Sequence, residues 1–362
     1  MIGKTLGFYF FRRFVSTTIL FILGVFALAY IVDFTEFTNR TGSLPKFDVK
    51  IAMAVSAMRV PLIMQIAVPF IVLFSAMATL MNLNRKYELV VARSVGVSAW
   101  QFLLPACAGA LFIGALAVFA LNPLAAAGFA KAEEIEGEWR ATKSSLAGGG
   151  KVPWLSQSTV EGDAIIGATR VTNAGARLYD VTFLLFDENN AIAQRYDAAR
   201  ADLLDGKWRM TDVVVTKAGN RPEAVKSVDL MSNLRKEVVE ETLAPPEMIP
   251  IYSLPQKIAA ARSFGVSANP FAMQFHSLTA LPALLVAMTL IAATVSLRFV
   301  RFGQSIRMIL GGILAGFVLY VVSVLVKSFG SAGIIPPPLA AWMPVIAAGL
   351  FGTGFLLHRE DG

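Results

Sequence analysis

Six apolar stretches, each about the length that crosses a membrane, constrain this chain more than any other feature. A helix needs about 20 mostly apolar residues to cross roughly 30 Å of hydrocarbon. Runs of that order lie at Phe14–Val32, within Val60–Leu83, and at Phe102–Leu121, Leu278–Leu297, Ile309–Val326 and Leu339–Leu357. The second run reads as broken by Pro61 and Pro69. Between the third and fourth runs the pattern turns polar, turn-rich and strand-like. The expected fold is an α-helical membrane protein with six transmembrane helices. A jellyroll-like, all-β domain is inserted between the third and fourth. The segments are 1–130, 131–250 and 251–362, the last opening with an interfacial helix. Composition agrees: 56% of the 362 residues are hydrophobic and 16% charged, too little polar surface for a soluble chain of this length.

The net charge of +7 does not point to nucleic acid, because Lys and Arg gather at the ends of the apolar runs. That is the pattern of topology signals and of contact with anionic lipid. One set of short-loop cations includes Arg12, Arg13, Arg85, Lys86, Arg93, Arg298, Arg301, Arg307 and Arg359. The other, diluted by Asp33, Glu36 and Asp48, holds Arg40, Lys46, Lys50, Arg59 and Lys327. The richer set should be cytoplasmic, which places both termini inside and the insert outside. Arg12-Arg13 precede a run of full spanning length with no clean cleavage site, so the first helix is expected to be retained.

In the insert, Glu133 to Glu138 open a short helix-like stretch that Gly148-Gly149-Gly150 breaks. Strand-length runs follow at Leu178–Phe186, Ala191–Tyr196, Ala199–Leu204 and Lys207–Thr216. Asp187-Glu188-Asn189-Asn190, Asp205-Gly206 and Ala218-Gly219-Asn220 supply turns. Many short strands at close spacing predict an antiparallel sandwich or jelly roll. After Pro245, Pro246 and Pro250, a short amphipathic helix starts near Ser253 and stops at Gly265. It carries Leu254, Ile258 and Ala261 on one face, for the membrane interface or for packing on the insert.

Several chemistries are missing from the sequence. No G-x-x-x-x-G-K-[ST] occurs, so the chain should not hydrolyse ATP itself. No Asp or Glu lies deep in a run, unlike the ion pathways of secondary transporters. HExxH and CxxC are absent, so no metal site is expected. The lone Cys107 sits in an apolar run, and His276 and His358 sit near run ends. No nucleophile–base constellation marks a catalytic residue.

One charged, structured segment interrupts the membrane part: Tyr87-Glu88-Leu89-Val90-Val91-Ala92-Arg93-Ser94-Val95-Gly96-Val97-Ser98. As a helix it has Glu88 in its first turn, favourable to the dipole. Ala92 and Gly96 then lie four apart on one face with Leu89, where a partner could approach closely. Arg93 points elsewhere and can pair or anchor. Docking to a soluble partner and lying on the headgroups, with Arg93 on phosphates, are equally open on chemistry alone.

This segment resembles the signature of the LptF/LptG permease family, an acidic residue, an apolar stretch and S-x-G-x-[ST]. The family comprises membrane subunits of the lipopolysaccharide-exporting ABC transporter. Gly206-Lys207-Trp208-Arg209 before a strand and Gly333-Ile334-Ile335-Pro336-Pro337 before the sixth run fit the same pattern. Tyr179 to Arg195, with Phe186-Asp187-Glu188-Asn189, is nearer the LptG branch. The resemblance implies an inner-membrane permease of lipopolysaccharide transport and outer-membrane biogenesis, with a periplasmic jellyroll. It implies that 87–98 is the coupling helix, with Glu88, Leu89, Ala92, Arg93 and Gly96 at the ATPase; Arg93 departs from an often uncharged position. The implied partners are an LptF-like permease, an LptB-like ATPase dimer that uses ATP and Mg, LptC-like and LptA-like periplasmic jellyroll proteins, and lipopolysaccharide. No cofactor is expected on this chain. Arg40, Lys46, Lys50, Arg59 and Lys327 are then candidates for its phosphates. The rival reading is a non-transporting mechanotransmission or scaffold protein with a sensor domain.

Overall fold

The computed structural model describes residues 4–42, 47–141, 154–159, 162–172, 177–186, 192–204, 206–217, 221–231, 246–263, 267–296 and 305–360. Lys46, Pro245, Gly265 and the turns expected at 148–150, 187–190 and 218–220 lie outside the described residues.

Nine α-helices are described. They are α1 (Lys4–Thr41), α2 (Val49–Arg85), α3 (Glu88–Ser94), α4 (Ala99–Leu116), α5 (Asn122–Ala141), α6 (Leu254–Ser263), α7 (Asn269–Ser296), α8 (Ser305–Ser331) and α9 (Pro337–Glu360). A π-helical stretch, Ala117–Leu121, joins α4 to α5, so one continuous helical rod runs from Ala99 past residue 131 to Ala141. Six helical segments are long and apolar enough to cross a membrane. At 1.5 Å per residue the 38 residues of α1 extend about 57 Å, well beyond a bilayer core.

The proline break expected in the second span does not occur: α2 runs unbroken through Pro61 and Pro69. A membrane helix tolerates proline because neighbouring helices re-satisfy the freed carbonyls. The Asp48 side chain caps α2 by accepting from the Lys50 amide at 2.8 Å.

The bundle is organised around α2 and α7, whose apolar windows are 56% and 67% buried, against 6% for α1 and 11% for α8. The main core joins Phe14, Val72, Leu73, Ala110, Leu285 and Ala292 from four helices. Thr18 and Ser75 hydroxyls meet at 2.8 Å between α1 and α2, a polar clasp inside apolar packing. A Cβ at Gly114 would stand 2.5 Å from the Pro282 Cα, so α4 and α7 touch backbone to side-chain-free backbone. The amphipathic helix α6 turns its apolar face to the bundle: Leu254 and Ala261 belong to this core and Ile258 packs on it.

The insert is an antiparallel sheet of β1 (Trp154–Thr159), β2 (Gly162–Thr172), β3 (Arg177–Phe186), β4 (Ile192–Leu204), β5 (Lys207–Lys217) and β6 (Glu223–Met231), in that spatial order. The all-β character expected from alternation is present. The strand order, a nearest-neighbour meander, was not readable from the sequence.

A meander needs a way to enclose a core, and a transverse crease provides it. Buried residues alternate along β3 as Leu178, then Val181, Phe183 and Leu185. On β5 they run Trp208 and Met210, then Val213. β4 shows the same break between Ala198 and Ala201. Pairing aligns the breaks in neighbouring strands, since Tyr179↔Arg200↔Thr211 and Val181↔Ala198↔Val213 flank them. Asp180 and Asp212 take φ values of +48° and +55° there, a left-handed conformation that Asp tolerates better than most residues. Phe183 and Trp208 lie on opposite sides of this row, separated by seven residues of strand, roughly 23 Å in a flat sheet. Their rings nevertheless meet edge to face at 5.9 Å, both fully buried. The sheet is folded on itself, and one face becomes an enclosed apolar core.

Candidate functional site

The segment singled out in the sequence, 87–98, forms the shorter helix α3, Glu88–Ser94. Tyr87 starts it with φ +59°. Two backbone bonds stop it: Val97 N–H to the Ala92 carbonyl at 3.1 Å and Gly96 N–H to the Arg93 carbonyl at 2.9 Å. This is a Schellman ending, and Gly96 at φ +85° is its left-handed residue. Ser98 then caps α4 in a reciprocal capping box with Gln101. The S-x-G-x-[ST] signature is, physically, a helix stop followed by a helix start.

The expected partner-facing side is corrected by burial. Leu89 and Ala92 are 3% and 8% exposed, and Leu89 packs with Phe10, Leu83, Phe102 and Leu103 in the chain's own core. Gly96 lies beyond the helix, where a Cβ would touch nothing of this chain within 4 Å, and its left-handed backbone by itself favours glycine. The face left open is Tyr87, Val91 and Val95, spaced by four and 70%, 61% and 79% exposed. Sequence reading missed this ridge because it assigned the small residues to the partner. The apolar residues one position before Ala92 and Gly96 were the available signal. Arg93 stacks over the Phe102 ring at 5.8 Å. Glu88 accepts a hydrogen bond from the Tyr9 hydroxyl at 3.0 Å, a tie between residues 79 apart that the sequence did not reveal.

At the insert end, the candidate cations do not form one ring. Arg40 in the last turn of α1 and Arg59 on α2 both reach Glu136 of α5, at 3.2 and 3.5 Å. Glu136 is 5% exposed. Arg59 also lies 3.9 Å from Asp33 and within 5.8 Å of the Phe37 and Phe129 ring centres. These two arginines tie α1, α2 and α5 together. Lys50 is exposed in the first turn of α2. Lys327 instead faces a cavity of about 560 Å³ between α2, α7, α8 and α9, roofed by Pro246 and Glu247.

Close to that roof, the chain leaving the insert is fastened to the π-helical stretch. The Ile251 amide donates to Asn122 Oδ1 at 2.8 Å, and the Tyr252 hydroxyl donates to the Phe119 carbonyl at 3.0 Å. A π-helical turn leaves carbonyls without their ordinary partners, and Tyr252 satisfies one. Among the described residues, no group of three or more His, Cys, Asp or Glu side chains could hold a metal.

Six helical segments of spanning length, a cavity between four of them, a β insert and an open apolar ridge on a loop helix fit a multi-pass membrane permease subunit. The chain belongs to the lipopolysaccharide export system permease LptF/LptG family, whose sequence model matches residues 8–359. It is 24% identical over 348 residues to the lipopolysaccharide export system permease protein LptG of Haemophilus influenzae, covering 89% of this chain and 90% of that protein.

Proposed function

We propose that the chain is the LptG-type half of an ATP-driven exporter that takes lipopolysaccharide from the outer leaflet of the inner membrane. It pairs with an LptF-like permease, and the peripheral positions of α1 and α8 leave long apolar faces for that pairing. The end carrying α3 is cytoplasmic, as are both termini, and the β domain is periplasmic. An LptB-like ATPase dimer, which alone uses ATP and Mg, seats on α3. The permease contributes no catalytic residue; it supplies two conformations with different affinity for lipid. Lys46 and Lys50 meet the lipid phosphates, while Arg40 and Arg59 tie α1, α2 and α5 together through Glu136. The cargo passes on toward LptC-like and LptA-like periplasmic jellyroll proteins.

The observation that carries this reading is the Tyr87–Val91–Val95 ridge on a short helix whose other face is locked into the bundle. A force applied to such a helix reaches α1, α2, α4 and α7 through Phe10, Leu83, Phe102 and Leu290. The test places a photoreactive residue at position 46 or 50 in complexes turning over ATP. Lipopolysaccharide adducts are expected. Turnover without any adduct would favour a mechanotransmission or scaffold protein instead.

A further inference from the structure

The cavity beside Lys327 is lined by four helices of this chain. It draws on the insert-end halves of α2, α7, α8 and α9, which is one depth of the membrane. Its wall is apolar at Leu62, Ile66, Leu278, Leu281, Val324 and Val345. Its two charged groups, Lys327 on α8 and Glu247 in the roof, lie toward the insert end with Ser328, Ser331 and Ser277, while Gln65, Gln274, Tyr320 and Ser323 add neutral polar groups to the lining. An apolar wall under a charged rim is the shape of a lipid site, and about 560 Å³ falls in the range of small-molecule pockets.

The rim carries both signs of charge. The Glu247 carboxylate acts on Lys327 electrostatically, and both side chains open on the cavity. A polyanionic headgroup gains from Lys327 but is repelled by Glu247. A headgroup with one phosphate and one ammonium matches both. We propose that this cavity holds one zwitterionic phospholipid, its phosphate on Lys327, its ammonium on Glu247 and its tails on the apolar wall.

The test uses the full-length protein in nanodiscs of equal phosphatidylethanolamine and phosphatidylglycerol, extracted gently and weighed by native mass spectrometry. The wild type should retain one phosphatidylethanolamine in preference to phosphatidylglycerol. Lys327→Gln should lower that retention about tenfold, as loss of a charged hydrogen bond predicts. Glu247→Gln should shift preference toward phosphatidylglycerol. Retention unchanged in both variants overturns the proposal. So does wild-type preference for phosphatidylglycerol or added lipid A, a comparison that needs no variant to fold. Adducts of lipopolysaccharide at positions 46 and 50 are independent of this result, so the exporter reading and the lipid site can fail separately.

Discussion

The Tyr9 hydroxyl donates to Glu88 Oε2 at 3.0 Å, joining the first turns of α1 to the first residue of α3. The bond does two things. It fixes the orientation of a carboxylate whose helix has only seven residues, and it couples that helix to the first span. Glu88 therefore works from a held position if it docks a partner.

Substitutions at this bond should separate charge from positioning. Glu88→Lys should break ATPase association or uncouple hydrolysis from export. Tyr9→Phe leaves the carboxylate in place, and removing one exposed hydrogen bond should cost about 1 kcal/mol or less, a weaker defect of the same kind. Val91→Asp, at the centre of the open ridge, should abolish association without unfolding the permease, because Val91 is 61% exposed. Co-purification of the ATPase with each variant reads this out. Normal assembly and export by Glu88→Lys would sink the docking role.

Gly96 is required by its φ of +85°. Gly96→Ala should destabilise the α3 ending by about 1–2 kcal/mol, the cost of a left-handed L-residue. Gly96→Asn should be milder, since asparagine is the usual substitute at such endings. If the need were for space at a partner surface, asparagine would be the worse of the two, and coupled ATPase rates distinguish the cases.

Glu136 holds two guanidinium groups at the insert end. Glu136→Ala leaves Arg59, with a side chain only 18% exposed, short of its main carboxylate partner. The expected cost is about 3 kcal/mol, below the upper range for buried pairs because the Arg40 side chain is 42% exposed. Arg59→Met, which removes the charge but keeps the bulk near Phe37 and Phe129, should cost less. Thermal unfolding in detergent orders the two, and an equal loss would show that packing rather than charge dominates.

The β domain should weaken in acid. Hydrogen bonds from Arg209 and then Lys207 hold the Asp229 carboxyl down from 3.8 to about 2. Burial pushes Asp202 up, but hydrogen bonds from Arg200 and Arg177 outweigh it and leave the group lowered. A depressed carboxylate binds its proton more readily when unfolded. Its contribution is therefore complete above the ordinary carboxylate value and lost as pH falls through the folded value. For Asp229 that window runs from about 3.8 down to about 2. The Asp229 side chain is 38% exposed, so salt should shrink the effect. Melting curves of wild type and Asp229→Asn should differ at neutral pH and converge near pH 2; a constant difference would contradict the assignment.

Much of the architecture was legible because its causes are local. Spanning length shows in a window of residues, alternation shows strands, and Asp205-Gly206 falls between β4 and β5, where a hairpin was expected. The site was legible in position but not in orientation. Leu89, Ala92 and Gly96 were expected to face a partner, yet two are buried in the bundle and the third terminates the helix. A seven-residue helix is too short for periodicity to reveal which face is covered, because the cover comes from Phe10 and Phe102 on other helices. The partners of two outer cations were hidden for a related reason. Loop position placed Arg40 and Arg59 together, but nothing local marked Glu136, far along the chain, as their shared partner.

The sequence by itself determined six spans, an all-β insert and a charged helix between the second and third spans, because hydrophobic length and strand period are properties of short windows. Only the tertiary structure decided that α2 and α7 are central while α1 and α8 are peripheral, and that Lys327 opens on a cavity under Glu247. It also decided that a six-stranded meander closes on itself through Phe183 and Trp208. Those outcomes depend on contacts between residues distant in sequence, and the energy that selects them comes from packing and pairing that no single window contains.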